Sequence, residues 1–379
     1  MTMPLMQSPP GAYTKIDGRE YLYFVGTGYL GLQGHPEVIR AACRAAELYG
    51  IGSANSRTAF GTTPPLLEVE RRAAALFGLD DAFYFASGWL GNHVLMQLLD
   101  AQAGLILLDE YSHYSVFEAA RASGYPNATF RHGDPADLQA KLQQHLKPSQ
   151  SAVVLSDGVF AATGRVAPVR EYHDILRDFP GSILCLDDAH GLAVLGENGR
   201  GTFEYAGLWG QGVNVVGNAD CCPHLCFSGT LSKAVGGFGG IIPGDQEFVR
   251  RVKLRSPHFG GASPPPAPIA AATARAIELV MAEPGLRTRL WSNVRLLKDG
   301  LRGMGFDVDQ TPVPIVCLTP GDAENMQRIQ RELMQRGIAV AYMAAYCGLG
   351  HEGGLRIAVF ATHTEAMIQQ LLDELRRLV

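Results

Sequence analysis

The sequence predicts an α/β fold in which a large domain with a mostly parallel sheet is joined to a smaller α+β domain. From about residue 66, short apolar runs alternate with helical patterns, as in a sheet whose strands are buried on both faces. The proline-rich stretch SPPPAP at 263–268 ends this alternation. A chain of 379 residues also exceeds the size at which one hydrophobic core stops growing.

Each element is predicted from local composition. The apolar runs of the first part indicate strands at Phe83–Ala86, Leu105–Leu108, Ala152–Ser156, Ser182–Leu186 and Leu225–Ser228. The patterns between them indicate helices at about 89–100, 112–122, 135–146 and 169–178. After the prolines we expect helices at Ile269–Ala282, Arg287–Gly303, 322–336 and 363–378, with strands at Ile315–Leu318, Ile338–Tyr342 and Leu355–Val359. The predicted domains are 46–260 and 261–379, and an irregular segment, 1–45, is expected to pack against the smaller one.

Composition excludes several classes of function. Hydrophobic residues make up 47% and charged residues 18%, and the formal net charge of -5 shows no basic excess for a nucleic-acid partner. No apolar run reaches the roughly 18 residues of a membrane span. The N-terminus lacks the charged and apolar regions of a signal peptide. We therefore expect a cytoplasmic protein without nucleic-acid or membrane partners.

The cysteines require a separate interpretation. Seven cysteines in a chain of this length do not indicate a disulfide framework. Cys221, Cys222, His224 and Cys226 lie close together and resemble metal ligands. Zinc sites usually draw ligand pairs from two separated segments, and no second pair is evident. We therefore favour the alternative, small apolar side chains that enter a buried strand, and predict no metal.

The most informative segment is FSGTLSKAVGGFGG at 227–240. Lys233 follows small hydroxyl residues at the end of a predicted strand, and a glycine-rich turn follows the lysine. Lysine suits Schiff-base formation because its pKa falls when it is buried. Thr230 and Ser232 could donate to a phosphate, and the glycines would let the backbone pass close to a flat ring. The segment predicts a pyridoxal phosphate (PLP) site, the alternative being a surface lysine beside a flexible loop.

Three further segments place polar groups directly after predicted strands. In LCLDDAHG at 184–191, Asp187 could face the pyridinium nitrogen and keep the ring an electron sink, with His190 nearby. In DEYSH at 109–113, His113 could stack on the ring. A turn-capping acid and a structural histidine are the alternatives. SGWLGN opens a predicted helix, whose N–H groups could bind phosphate. Its candidate residues are Ser87, Gly88, Trp89 and Asn92.

In combination, these segments resemble the α-oxoamine synthase family of fold-type-I PLP enzymes. The resemblance runs in order along nearly the whole chain. Its motifs are YLGL at 29–32, IGSANSR at 51–57, SGW at 87–89, DGVF at 157–160, DDAHG at 187–191, TLSK at 230–233 and LRI at 355–357. It implies an acyltransferase that condenses an amino acid with an acyl thioester, carried on coenzyme A or a carrier protein, and releases carbon dioxide.

The resemblance also implies roles for individual residues. Lys233 matches the Schiff-base lysine, Asp187 the acid at the ring nitrogen, His113 the stacking histidine and His190 the donor to the ring hydroxyl. Arg356 matches the arginine whose planar fork holds the substrate carboxylate. The phosphate-side positions are Gly88, Trp89 and Thr230. Asp157 stands where the family's E-x-V-F segment has its acid, and we expect it in the cofactor site as well.

Two positions depart from the family pattern, and one segment implies a partner. Thr27 stands where the family usually has a carboxylate-binding asparagine, and Ala161 stands in place of a serine. The Gly260–Pro266 segment resembles the part that reaches the partner's phosphate, so a homodimer is expected, with Ser263 contacting PLP across it. Two other functions stay open: an aldolase, lyase or aminotransferase using the same cofactor site, and a noncatalytic subunit or sensor.

Overall fold

The structure is a computed structural model that describes residues 3–99, 103–147, 149–215, 223–344 and 346–379. Its strands are β1 (Tyr13–Ile16), β2 (Arg19–Tyr23), β3 (Asp81–Phe85), β4 (Ala103–Asp109), β5 (Asn127–Phe130), β6 (Ser151–Asp157), β7 (Ile183–Asp187), β8 (His224–Thr230), β9 (Gly240–Gly244), β10 (Ile315–Leu318), β11 (Ile338–Ala339), β12 (Ala341–Met343) and β13 (Gly354–Ala358). Its helices are α1 (Pro36–Tyr49), α2 (Pro64–Phe77), α3 (Gly91–Met96), α4 (Tyr114–Ala122), α5 (Pro135–His145), α6 (Val169–Leu176), α7 (Thr202–Tyr205), α8 (Gln246–Arg255), α9 (Pro257–Gly260), α10 (Ala267–Ala282), α11 (Gly285–Arg302), α12 (Ala323–Gln335) and α13 (Glu365–Leu378).

A seven-stranded sheet forms the centre of the described chain, in the order β3-β9-β8-β7-β6-β4-β5. The five strands from β8 to β5 pair in parallel, whereas β9 is antiparallel to both of its neighbours. The interior of β6, from Ala152 to Leu155, is fully buried. Strands covered on both faces read as continuous apolar runs, which is why composition located them. The predicted α/β fold with a mostly parallel sheet is confirmed.

The register of this sheet brings polar residues together at one edge. β6 ends at Asp157 and β7 at Asp187, and these two residues are paired across the strands. Asp187 is paired in turn with Ser228, two residues before the end of β8. Because the strands are parallel, their carboxyl ends lie at the same edge, where open α/β sheets bind ligands.

The C-terminal part is built on two smaller sheets. One is antiparallel, with the order β10-β13-β12, and the other has the order β1-β2-β11. The parallel pairing of β2 with β11 ties the N-terminal segment to this part of the chain. The boundaries that we predicted between domains stay predictions.

The prediction that residues 1–45 are irregular is wrong, because they contain the β1–β2 hairpin and most of α1. Asp17 and Gly18 both have positive φ, 48° and 81°, as a tight hairpin turn requires. This Asp-Gly pair was the overlooked signal. Helix α1 begins after His35, whose Nδ1 accepts a hydrogen bond from the Glu37 N–H at 3.3 Å.

Other differences are local. Helix α3 ends at Met96, so the predicted helix at 89–100 is too long, and β5, β9 and α8 were not predicted. Of the residues considered as metal ligands, His224 and Cys226 lie in β8, whereas Cys221 and Cys222 lie outside the described residues. Among the residues that the structure describes, no cluster could hold a metal ion. Nor does this part of the chain contain a helix with the length and apolarity needed to cross a membrane.

Candidate active site

A cavity of about 260 Å³ lies at the carboxyl ends of β6, β7 and β8. It collects residues from all four of the segments that the sequence singled out, although those segments are far apart in the chain. The predicted cofactor-site residues that line it are Ser87, Gly88, Trp89, His113, Asp157, Asp187, His190, Thr230, Ser232 and Lys233. The sheet therefore assembles most of the predicted site in one place.

Lys233 presents its amine to this cavity immediately after β8. Its Nζ lies 2.9 Å from His190 Nε2. The pKa of Lys233 is lowered to about 8, chiefly by burial and to a smaller extent by the charge of Arg356, whereas Asp187 and Asp157 act in the opposite direction. A lysine with this pKa carries an appreciable neutral, nucleophilic fraction near neutral pH.

Asp187 is held in place by two donors. The Asn92 side-chain amide donates to Oδ2 at 2.9 Å, and the Ala189 N–H donates to Oδ1 at 3.1 Å. Asn92 is 1% exposed and does not line the cavity. The sequence predicted that Asn92 contacts the cofactor itself. In the structure, Asn92 contacts Asp187 on the side away from the cavity, so Asn92 is linked to the cofactor site through Asp187.

His113 and Asp157 form a second pair at the cavity. The His113 backbone N–H donates to Asp157 Oδ1 at 3.0 Å, and His113 Nδ1 lies 2.8 Å from the Ser115 hydroxyl. Burial lowers the pKa of His113, which favours a neutral ring. Burial and the nearby Asp187 charge raise the pKa of Asp157 well above its usual value. The Trp89 ring meets the His113 ring edge-on, with centroids 5.1 Å apart.

Small and hydroxyl residues form the other end of the cavity. A Cβ on Gly88 would lie 2.6 Å from Thr230 Cβ, so the backbone at position 88 can pass this close to Thr230 only because the residue is glycine. The Thr230 hydroxyl donates to the Gly239 carbonyl at 3.0 Å, which commits its hydrogen. The hydroxyl oxygens of Ser87 and Ser232 accept from backbone N–H groups at 3.3 and 3.1 Å. Their hydrogens stay available, so both serines are better placed than Thr230 to donate to an anion.

Arg356, in β13, lies next to the cavity without lining it, and its 7% exposure excludes a solvated surface arginine. Its Nε donates to the carbonyl of Ala161, a residue that lines the cavity, at 3.0 Å, and its Nη1 donates to the Gly26 carbonyl at 3.1 Å. Its Nη2 lies 3.5 Å from the hydroxyl of Tyr29, to which the sequence assigned no role. Tyr29 belongs to the YLGL motif, which was the available signal.

Thr27 and Ser263 are two further predicted residues that, like Asn92 and Arg356, do not line the cavity. Thr27 does not line it, and its backbone carbonyl accepts a hydrogen bond from the Tyr29 N–H at 2.9 Å. Ser263 is exposed and also does not line it. The contact predicted for Ser263 is with the site of a second subunit. The roles of both residues stay predictions.

The donor set fits PLP. A buried amine suits an aldehyde, a fixed carboxylate suits a pyridinium nitrogen, and a neutral histidine suits the face of an aromatic ring. The hydroxyl groups at the glycine-lined end suit a phosphate. The residues in these positions are Lys233, Asp187, His113, Ser87 and Ser232.

The fold and the site are those of a PLP-dependent enzyme, and comparison with known families finds the same class. A sequence model of aminotransferase class I and II matches residues 27–375. The chain belongs to this class and, within it, to the α-oxoamine synthase family. It is 33% identical to an 8-amino-7-oxononanoate synthase of Pseudomonas putida, over 98% of this chain and 92% of that protein. An enzyme of the same name from Alkaliphilus metalliredigens is 28% identical, over 99% of this chain and 92% of that protein.

Comparison with solved structures finds the same family. A serine palmitoyltransferase solved with a PLP internal aldimine has a TM-score of 0.89 and 27% identity, and the match covers 99% of this chain and 92% of that one. The Sphingomonas wittichii serine palmitoyltransferase has a TM-score of 0.88 and 26% identity, with coverage of 99% and 91%. An 8-amino-7-oxononanoate synthase of Francisella tularensis has a TM-score of 0.76 and 20% identity, with coverage of 94% and 97%, and supports the fold alone.

The buried amine predicts a pH-dependent effect on stability in the PLP-free protein. The pKa of Lys233 in the folded chain, about 8, is below its ordinary value of 10.5, so protonated Lys233 disfavours folding. The penalty is full below about pH 8 and disappears above about pH 10.5. Lys233→Met should therefore raise the free energy of unfolding near pH 7 by about 1–3 kcal/mol. The gain should shrink at pH 10, and urea denaturation at both pH values measures it.

Lys298→Met is the matched control for this measurement. Lys298 is also buried, but its Nζ donates to Asp309 Oδ1 at 2.7 Å and to the Thr311 carbonyl at 2.8 Å. Its loss removes these hydrogen bonds to Asp309 and Thr311, so it should destabilise the protein at both pH values. A loss of stability at pH 7 in Lys233→Met would contradict the prediction.

Proposed function

We propose that this protein is a PLP-dependent acyltransferase that condenses an amino acid with an acyl thioester, releases carbon dioxide and forms an α-amino ketone. The observation that carries the proposal is the buried amine of Lys233, which shares one cavity with Asp187 and His113. Membership of the α-oxoamine synthase family supports the acyl-transfer reaction, since relatives are named 8-amino-7-oxononanoate synthase and serine palmitoyltransferase.

PLP, when bound, supplies an electron sink that stabilises negative charge on the α-carbon of the amino acid. Lys233 would bind the aldehyde carbon of PLP through its amine. Asp187, fixed by Asn92, would keep the ring nitrogen protonated, and His113 would cover one face of the ring. Ser87 and Ser232 would donate to the phosphate. These roles follow from the chemistry of each side chain at its position in the cavity.

Lys233 is also suited to move a proton at the α-carbon. A general acid or base works best when its pKa is near the operating pH, and burial brings the pKa of Lys233 to about 8. Arg356 is the cation suited to the substrate carboxylate. Its guanidinium is buried beside Ala161, so an ion pair there would be shielded from water.

We also propose that the enzyme is a homodimer, as the resemblance implies, and that Ser263 contacts PLP across the interface. Large apolar side chains around the 52–61 loop support a partner surface. Leu48 is 71% exposed, Ile51 76% and Phe60 98%. Phe60 also has a positive φ of 70°, a strained conformation for an aromatic residue. A cytoplasmic location, where acyl thioesters are available, is part of the same proposal.

The reaction is tested by measuring coenzyme A release and carbon dioxide release together. The PLP-loaded protein should release coenzyme A from acyl-coenzyme A and carbon dioxide from the amino acid in equal amounts, and only when both substrates are present. A panel of amino acids and acyl chains, with acyl carrier protein as a second donor, identifies the substrates. Lys233→Ala should lose activity by about 10³-fold or more because the nucleophile is removed.

Lys15→Ala, at an exposed position in β1, is the control and should keep full activity. Turnover of an amino acid without the thioester would contradict acyl transfer and indicate an aldolase, lyase or aminotransferase. Absence of turnover with every amino acid would favour a noncatalytic subunit or sensor.

The carboxylate role of Arg356 is tested by Arg356→Lys, which keeps the charge but removes the planar fork. The loss of a charge-assisted pair should cost about 2 kcal/mol or more, which weakens amino-acid binding over tenfold. Titration of the PLP absorbance with amino acid measures the dissociation constant. PLP binding itself should be nearly unchanged, since the arginine approaches the cavity from the side of Ala161.

Arg165→Lys, at an exposed arginine in the same turn as Ala161, is the matched control and should bind the amino acid as the wild type does. Equal dissociation constants for Arg356→Lys and wild type would refute the assignment. A loss of PLP binding in Arg356→Lys would show that the arginine is structural.

A further inference from the structure

A chain of polar contacts joins Arg356 to Lys233 through two buried residues. Arg356 Nη2 lies 3.5 Å from the Tyr29 hydroxyl, which lies 2.7 Å from His190 Nδ1. The other nitrogen of the same ring, Nε2, lies 2.9 Å from Lys233 Nζ. Tyr29 is 0% exposed and His190 is 5% exposed, so both side chains are largely shielded from water. The carboxylate-binding arginine and the cofactor lysine are therefore connected.

The chemistry of the four groups gives this chain a direction. A guanidinium can only donate, so the Tyr29 oxygen accepts from Arg356, and the Tyr29 hydrogen is free to donate to His190 Nδ1. Burial raises the pKa of Tyr29 to about 12, which keeps the hydroxyl protonated. A neutral histidine that accepts at Nδ1 carries its proton on Nε2. Above about pH 8 the Lys233 amine is largely neutral, and its lone pair can accept from that Nε2–H, since Nζ lies 2.9 Å from Nε2.

His190 is kept neutral by its surroundings. Burial lowers its pKa well below the usual value, and the positive charges of Lys233 and Arg356 lower it further. A neutral imidazole has two tautomers, and only the one with a proton on Nε2 presents a donor to Lys233. Within the described residues, Tyr29 is the side chain whose hydroxyl lies within hydrogen-bonding distance of Nδ1, and a hydrogen bond donated by this hydroxyl selects the tautomer with a proton on Nε2.

We propose that Tyr29 is a positioning residue that fixes His190 in the Nε2–H tautomer, so that a donor faces Lys233 and the cofactor side of the cavity. The inference rests on the proposed function only in taking Lys233 as the residue that holds PLP. It extends that function because Tyr29 also contacts Arg356, so the two ends of the site share one hydrogen-bonded residue.

The titration of Lys233 responds to this tautomer and also to the charges around it. The titratable and charged groups that act on Lys233 and His190 are Asp187, Asp157, Arg356 and His113. Tyr29→Phe removes a neutral hydroxyl and changes none of these charges. A shift in the titration of Lys233 in this variant therefore reports the loss of the hydrogen bond and not a change of charge.

The first test measures the rate at which PLP reacts with Lys233 in PLP-free protein, as a function of pH. The neutral amine is the reactive form, and a donor to its lone pair favours that form. Without the fixed tautomer, the midpoint of the pH profile in Tyr29→Phe should rise by about 0.5–1 unit, which slows the reaction three- to tenfold at pH 7. An unchanged midpoint would overturn the proposal.

Tyr172→Phe is the matched control. Tyr172 is also fully buried, and its hydroxyl lies 3.4 Å from Asp109 Oδ2, outside the cavity. The pH profile for the reaction of PLP with Lys233 should have the same midpoint in Tyr172→Phe as in the wild type if the effect of Tyr29 is specific. A shift of the same size in Tyr172→Phe would mean that loss of any buried tyrosine hydroxyl disturbs the site, which also overturns the proposal.

A double-mutant cycle with His190→Gln separates positioning from a structural role. The side-chain amide of glutamine provides a donor near the place of Nε2 and has no tautomers. In that background, Tyr29→Phe should change the rate less than twofold. Equal effects in the two backgrounds would show that Tyr29 does not act through His190.

The tautomer can also be read directly in the wild-type protein by ¹⁵N nuclear magnetic resonance of His190. Above about pH 8, where the Lys233 amine is largely neutral, a proton on Nε2 is expected, and a proton on Nδ1 would overturn the proposal even if Tyr29→Phe does not fold. This measurement needs no PLP. If wild-type protein fails to bind PLP at Lys233, the proposed function fails, whereas the tautomer still decides the inference.

Discussion

Burial of one amine is the constraint on which the rest of this site depends. Lys233 is partly buried, and desolvation of its amine disfavours the charged form, so its pKa falls to about 8. His190 lies within hydrogen-bonding distance of this amine. The charges of Asp187 and Asp157 act on the amine as well and raise its pKa. The parallel register of β6 and β7 sets the two acids side by side. The sheet therefore positions both the reactive lysine and the two carboxyl groups whose charge stabilises its protonated form.

Contacts from distant parts of the chain close the site. Arg356 comes from the C-terminal sheet, Tyr29 from the N-terminal segment and Ala161 from the turn after β6. The arginine binds the backbone carbonyls of Ala161 and Gly26, so one side chain joins all three regions. The residue expected to bind the substrate also helps to hold the surrounding structure. A substitution there has to be judged on PLP binding as well as on amino-acid affinity.

The sequence was informative where a property is local. The runs Ala152–Ser156 and Ser182–Leu186 are buried on both faces, and the polar residues that follow β6 and β7 identified the sheet edge. Asn92 behind Asp187 and Tyr29 beside His190 could not be placed, because these contacts join residues 95 and 161 positions apart. Nor could composition show that the Thr230 hydroxyl is committed to Gly239. The β1–β2 hairpin differs, since its Asp17-Gly18 signal was present and was overlooked.

The central claim is that Lys233 holds PLP, and chemical trapping tests it most directly. Borohydride reduction of the PLP-loaded protein should fix a pyridoxyl group onto a lysine, and peptide mapping by mass spectrometry identifies which one. The account predicts a single adduct on the peptide that contains Lys233, and its absence when Lys233→Ala is treated in the same way. An adduct on another lysine of the wild-type protein, or no adduct at all, would contradict the account.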